Sequence, residues 1–213
     1  ALRPAGPPPL PARAAAERRS APLRVLCCEN GIEVAEKLRS EMEKAVPRVT
    51  EESALVADTV MGRMCKIAEA DDITEPMLPE GKRAVVAEPF YGMPVESRVL
   101  EGLEKPGEAF QPMAEGRIAA REDVKMFAHN GLHALLGFLG TLKGASFFYE
   151  LREDAELMEL ARRFLNDEVG EALFSKHGRA LERNYYLNYA PTILRRVTCP
   201  GFRDPLARGT RGA

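Results

Sequence analysis

The sequence has no tryptophan, three histidines and four cysteines in 213 residues, and no apolar run long enough to span a bilayer. A spanning helix needs roughly 18 to 20 consecutive apolar residues, and the Pro-rich start lacks the apolar centre of a signal peptide. Neither a membrane partner nor a secretory route is expected. Cys27, Cys28, Cys65 and Cys199 show neither zinc-ribbon spacing nor a redox Cys-x-x-Cys. Reduced, buried thiols and a cytoplasmic location are the expectation. No charge dominates: 30 Lys and Arg face 32 Asp and Glu, interspersed, so no basic field argues for nucleic acid. A Gly-x-Gly-x-x-Gly turn is also missing, and "GFLGTLKG" falls inside a helical pattern at the wrong spacing.

What is present is a chain with 45% hydrophobic residues, enough to bury a core in one domain or two small ones. A small molecule or another protein is the expected partner. Residues 1 to 22 hold six prolines and seven alanines, which reads as a linker, although "LPARAAAERR" with Pro11 in a first-turn position allows a short helix. "LRVLCCEN" suits a buried strand and "GIEVAEKLRSEMEKAV" has helical period, so a strand is followed at once by a helix. In parallel α/β sheets ligands sit at the carboxyl ends of strands, where Glu29 and Asn30 lie. "ALVADTVMGRM" and "KRAVVAEPF" read as two more strands around an acidic, Pro-containing loop. After Pro112 the pattern is nearly all helical: Glu115 to Leu142, then a long helical stretch with a break near Asp154, then Arg179 to about Val197. The expected class is α+β, with an α/β part over residues 1–112 and an all-α part over 113–213.

Within "REDVKMFAHNGLHALLGFLG" a lysine, an asparagine and two histidines interrupt an apolar run. At 100° per residue from Lys125, His129 lies at about 40°, His133 at about 80° and Asn130 at about 140°, all on one face. Gly137 and Gly140 fall on the same arc, and interior glycines cost roughly 1 kcal/mol each against alanine, so something must approach the backbone closely. Three accounts fit. In the first, Lys125 snorkels, the histidines are hydrogen-bonded core residues and the glycines admit another helix. In the second, His129 and His133 at i and i+4 bind zinc, but the glutamate of His-Glu-x-x-His is missing, no third ligand is near and Lys125 repels the ion. In the third, a desolvated Lys125 with a lowered pKa is a general base, Asn130 donates to a developing alkoxide, and a histidine orients a hydroxyl.

Lys125, Asn130 and His133 form Lys-x4-Asn-x2-His, which resembles the active-site signature of the polyol-specific long-chain dehydrogenase/reductase family. That group contains mannitol 2-dehydrogenase, mannitol-1-phosphate 5-dehydrogenase and the hexuronate reductases. "LCCENG" resembles the family's Cys-Asp/Glu-Asn segment, and "VADTVMGRM", "VVAEPF", "HNGLHALLGFLGTLKG" and "ILRRVTCPGFRDPL" follow in the family's order, so the likeness runs from about residue 10 to 211.

The resemblance implies a Rossmann-type remnant followed by a helical domain of the 6-phosphogluconate-dehydrogenase C-terminal kind. It implies oxidation of a secondary alcohol of mannitol, mannitol 1-phosphate or a related hexonate, with NAD or NADP as hydride acceptor and no metal. Lys125 would be the general base, Asn30 and Asn130 the oxyanion donors, and His133 a hydrogen-bond partner of a substrate oxygen. Glu122 would relay the proton to water and Arg196 would contact the polyol or sugar acid. Met61, Gly62 and Arg63 stand where the family reads Val-Asp-Arg, and Leu206 to Gly209 depart from its Arg-Lys-Leu ending. The chain opens on alanine, and the resemblance implies a nucleotide-binding half before it and further helices after it, hence no completed site in these 213 residues alone. The contrasting expectation is a non-catalytic helical binding or interaction module.

Overall fold

The computed structural model describes residues 11, 14–16, 21–29, 31–50, 52–68, 84–90, 92–104, 107–114 and 116–210. The chain divides into two units, one of residues 1–61 and 92–122, the other of residues 62–91 and 123–213. The sequence boundary near 112 followed the change to helical period. The units also exchange a segment, which no local pattern records.

In the first unit β1 (Leu23–Cys27) pairs in parallel with β2 (Ala54–Asp58), Leu23 opposite Ala54 through Cys27 opposite Asp58. The connection is α1 (Val34–Ala45), giving the strand–helix–strand order read from the sequence. Met42 of α1 and Val56 of β2 pack in one core with Ala15, which is fully buried; Pro11 and Ala14 to Ala16 are helical, as the alternative reading of the Pro-rich start anticipated. A second parallel pair, β5 (Met93–Glu96) and β6 (Phe110–Met113), flanks the short helix α2 (Ser97–Leu100). Sequence reading identified neither strand, and each contains a proline. A two-stranded sheet has only edges, where a missing N–H costs little.

The second unit contains an antiparallel pair, β3 (Cys65–Ile67) with β4 (Val85–Ala87), and the helical elements from residue 123 onward. Helix α3 (Arg117–Asp123) runs into a π-helical segment, Val124–Asn130, and then α4 (Gly131–Leu142). A 3₁₀ turn, Phe148–Glu153, ends at Asp154, whose side chain accepts from the Leu157 N–H and caps α5 (Ala155–Arg163). That is the expected break. A second π segment, Phe164–Gly170, leads into α6 (Glu171–His177); α7 (Arg183–Val197) and α8 (Ala207–Thr210) follow. The close approach expected at the interior glycines is made by α8 and its entry at Gly137, and by Leu151 of the 3₁₀ turn together with Leu206 at Gly140. A Cβ on Gly137 would stand 3.2 Å from the Gly209 backbone, and one on Gly140 3.0 Å or less from Leu151 and Leu206 side-chain atoms.

The cysteines are a correction. All four are free thiols, but only Cys27 is buried; Cys28, Cys65 and Cys199 are exposed. Cys28 lies just past the end of β1, and Cys65 is at the start of a strand whose burial is slight, so their apolar neighbours in sequence do not cover them. Burial, with help from the nearby Asp58 charge, pushes the Cys27 thiol up to about 11.

Candidate active site

The first π segment holds Lys125, His129 and Asn130. An i→i+5 ladder closes each turn over one more residue than an α-helix, so Lys125 and Asn130 sit about one turn apart on the same side. Uniform α geometry had put them further apart. The Gly131 N–H reaches back to the Met126 carbonyl, five residues earlier, where α4 resumes.

Lys125 is half-buried, and loss of hydration lowers its ammonium pKa from the ordinary lysine value. His133, one turn into α4, donates from Nδ1 to the His129 carbonyl at 3.0 Å. Burial lowers its pKa, against opposing contributions from that bond and from Asp204, whose Oδ2 is 3.9 Å from Nε2. A neutral His133 with its proton on Nδ1 presents Nε2 as an acceptor, suited to a hydroxyl donor. Phe148 meets its ring edge-on at 5.1 Å between centroids. Asp204 is itself buried and paired with Arg208 at 2.9 Å.

His129 is 5% exposed, and burial first, then the neighbouring His133 imidazole and Arg196 guanidinium, which disfavour a second cation, hold its pKa well below the usual value. Its Nδ1 is buried without a hydrogen-bond partner. The two imidazoles stack, 4.9 Å between centroids and 18° from parallel, a geometry that does not converge their nitrogens on one ion. Among the described residues no three His, Cys, Asp or Glu side chains gather as metal ligands. Asn130 donates weakly from Nδ2 to the Met126 sulfur at 3.6 Å, a contact that an oxyanion would readily displace.

Arg196, near the end of α7, is held by Glu88. Its Nε donates to Glu88 Oε2 at 2.9 Å, its Nη2 to Glu88 Oε1 and to the Gly62 carbonyl, and Phe90 stacks 4.3 Å from the guanidinium. The pair is nearly buried, and Nη1 is the part of Arg196 that these contacts leave for another acceptor. Sequence reading did not assign Glu88, Phe90 or Asp204 to the site, although "VVAEPF" and "FRDPL" contain all three. Their roles depend on contacts far apart in the chain. Glu122 is the last residue of the first unit, and Asn30 lies outside the described residues.

Two other features bear on ligands. An open cavity of ≈ 570 Å³ lies elsewhere in the helical unit, with Met158, Leu165, Leu187 and Leu194 as apolar lining and Arg152 and Arg195 among its polar side chains. None of Lys125, Asn130, His133 and Arg196 lines it. In the first unit the N-terminus of α1 is closed to phosphate: the Ala35 N–H donates to Asp58 Oδ1 at 2.8 Å, and Glu33 and Glu36 add negative charge there. Burial raises the Asp58 pKa, and the Ala35 bond opposes the rise. These residues do not fit a dinucleotide pyrophosphate. No helix among the described residues is long and apolar enough to cross a membrane.

No family model matches the chain. It is similar to curated mannitol-1-phosphate 5-dehydrogenases: 27% identical over 191 residues to that of Geobacillus thermodenitrificans, 30% over 190 to that of Brevibacillus brevis, and 26% over 192 to that of Emericella nidulans. Each match takes in 89% of this chain and 46 to 47% of the relative, so the chain spans about half the length of those relatives. Among solved structures, the fold is similar to a Pseudomonas fluorescens mannitol 2-dehydrogenase in ternary complex with NAD and D-mannitol, with a TM-score of 0.61 at 20% identity, covering 87% of this chain and 39% of that one. The likeness to these mannitol dehydrogenases holds across nearly the whole of this chain, in sequence and in fold.

Proposed function

We propose that this chain is a portion of an NAD(P)-dependent, metal-independent polyol dehydrogenase, which oxidises a secondary alcohol of mannitol, mannitol 1-phosphate or a related hexonate to the ketone. In this reading the first unit is a remnant of a Rossmann-type nucleotide-binding domain. The second is a helical substrate domain of the 6-phosphogluconate-dehydrogenase C-terminal type. The observation that carries the proposal is the desolvated Lys125, set in the same π segment as Asn130 and about two turns before a neutral His133.

Burial favours the neutral amine, so Lys125 removes the hydroxyl proton of the alcohol as its carbon is oxidised. Asn130 donates from Nδ2 to the alkoxide as it forms, an uncharged donor that stabilises negative charge without protonating it. His133 accepts a neighbouring substrate hydroxyl at Nε2 and so fixes which carbon faces Lys125. Glu122, one turn before Lys125, passes the proton to water, and Arg196 offers Nη1 to a substrate oxygen while Glu88 holds its plane. Asn30 is assigned as a second oxyanion donor on the family resemblance alone. Because the described residues do not fit the pyrophosphate, no step is assigned to the cofactor here.

The test is Lys125→Met in the full-length protein, with turnover and its pH dependence measured on polyol oxidation. A loss of about 10² to 10⁴ in kcat supports the base assignment, since that is the usual worth of a positioned acid–base group. An active variant with the parent's pH profile sinks the base assignment, whereas a parent protein with no polyol turnover favours the non-catalytic module.

A further inference from the structure

Asp123 is 4% exposed, unusual for a carboxylate, and it is the last residue of α3 before the π segment begins. Its Oδ2 accepts from His177 Nε2 at 2.7 Å and pairs with Lys176 Nζ at 2.6 Å. Both partners stand in the last turn of α6, 53 and 54 residues away in sequence. Side chains two residues apart on a helix point to different faces, so Asp123 is turned away from Lys125 and cannot share its work. At the far end of the same π segment, Gly131 is pressed against the Phe164 ring, which opens the second π segment; a Cβ there would lie 3.2 Å from the ring.

A π turn has poor intrinsic geometry and persists only where tertiary contacts hold it. Returning the segment to α geometry would shift the turn by one residue and rotate Lys125 away from Asn130. We infer that Asp123 is a positioning residue for Lys125: its clamp on His177 and Lys176 anchors the entry to the π segment and so fixes where the lysine side chain points. This rests on the reading of Lys125 as the general base, and the experiment keeps the two apart.

In the full-length protein, Asp123→Ala, Asp123→Asn, His177→Ala and the double alanine variant are compared with the parent. Polyol oxidation is measured together with the titration of the Lys125 amine by NMR of labelled lysine, assigned through Lys125→Met. A displacement of about 1 Å can cost roughly 10²-fold in rate. Asp123→Ala is therefore expected to lower kcat by about 10- to 100-fold with little change in the polyol KM, and to move the Lys125 titration toward that of free lysine. Asp123→Asn, which keeps the acceptor for His177, is expected to recover most of both. His177→Ala is expected to reproduce Asp123→Ala, and the double variant to be no worse than either. If Asp123→Ala does not fold, His177→Ala supplies the same readouts from the other side of the clamp. A melting temperature that falls while kcat and the Lys125 titration stay at parental values overturns the inference. A Lys125 titration that moves with Asp123 while Lys125→Met retains turnover sinks the base assignment and leaves the positioning intact.

Discussion

Lys125 and the two histidines share one physical condition: each is a cation-forming group taken partly or wholly out of water, and each pKa is lowered as a result. For Lys125 the consequence is a rate. Polyol oxidation should rise with pH as the amine loses its proton, with an apparent pKa below the roughly 10.4 of free lysine, and that limb should vanish in Lys125→Met. Stability in the same variant should be unchanged or slightly raised at neutral pH, because a charged amine no longer has to be desolvated. For the histidines the consequence is a stability. Their folded pKa values lie below the unfolded value, so the unfolded chain binds more protons and folding weakens as pH falls below about 6.5. The slope should reach at most about 1.4 kcal/mol per histidine per pH unit. Urea titrations between pH 7 and 5 measure it, and His129→Leu should flatten it. That variant also removes the buried Nδ1 that lacks a partner, so stability at pH 7 should hold or rise despite the change of shape.

At the scale of elements, the two π segments and the short helix α8 decide how the site is built. Against the second π segment the buried Tyr186 hydroxyl donates to the Leu165 carbonyl at 2.6 Å. Burial raises the Tyr186 pKa, which keeps the hydroxyl protonated as a donor. Tyr186→Phe should cost about 0.5 to 1.5 kcal/mol, the net worth of the hydrogen bond it removes, read as a shift in urea midpoint. Helix α8 lies against α4 so closely that a Cβ on Gly209 would collide with the His133 carbonyl. Gly209→Ala should destabilise by about 1 to 3 kcal/mol through overpacking, and it should disturb His133 as well. Gly201→Ala, where the nearest group is the Cys199 sulfur at 3.8 Å, is the control, with little change in thermal midpoint. The interior glycines Gly137 and Gly140 announced a close neighbour in the sequence, but not which one. The π segments gave no such notice, because hydrophobic period cannot register a single extra residue per turn.

For the whole molecule, the question is what these 213 residues can do unaided. With α1 capped by Asp58 and no Gly-x-Gly-x-x-Gly in the sequence, the chain by itself should show no micromolar NAD affinity in calorimetry. Tight binding would mean that the cofactor site lies elsewhere in it. Dialysis of the full-length protein against a strong chelator should leave helicity and polyol oxidation unchanged; zinc retained one-to-one through His129 and His133 would revive the metallic account. The sequence by itself determined the strand–helix–strand start, the helical second half, the break at Asp154 and the Lys-x4-Asn-x2-His cluster. Each of these is a local matter of period, capping or spacing along one segment. Only the tertiary structure decided that Glu88 holds Arg196, that Asp204 faces His133, that Asp123 is clamped by His177, and that the turn carrying Lys125 is π rather than α. Those pairings join residues up to 108 positions apart, and the extra residue in the π turn persists through packing rather than through any preference of its own sequence.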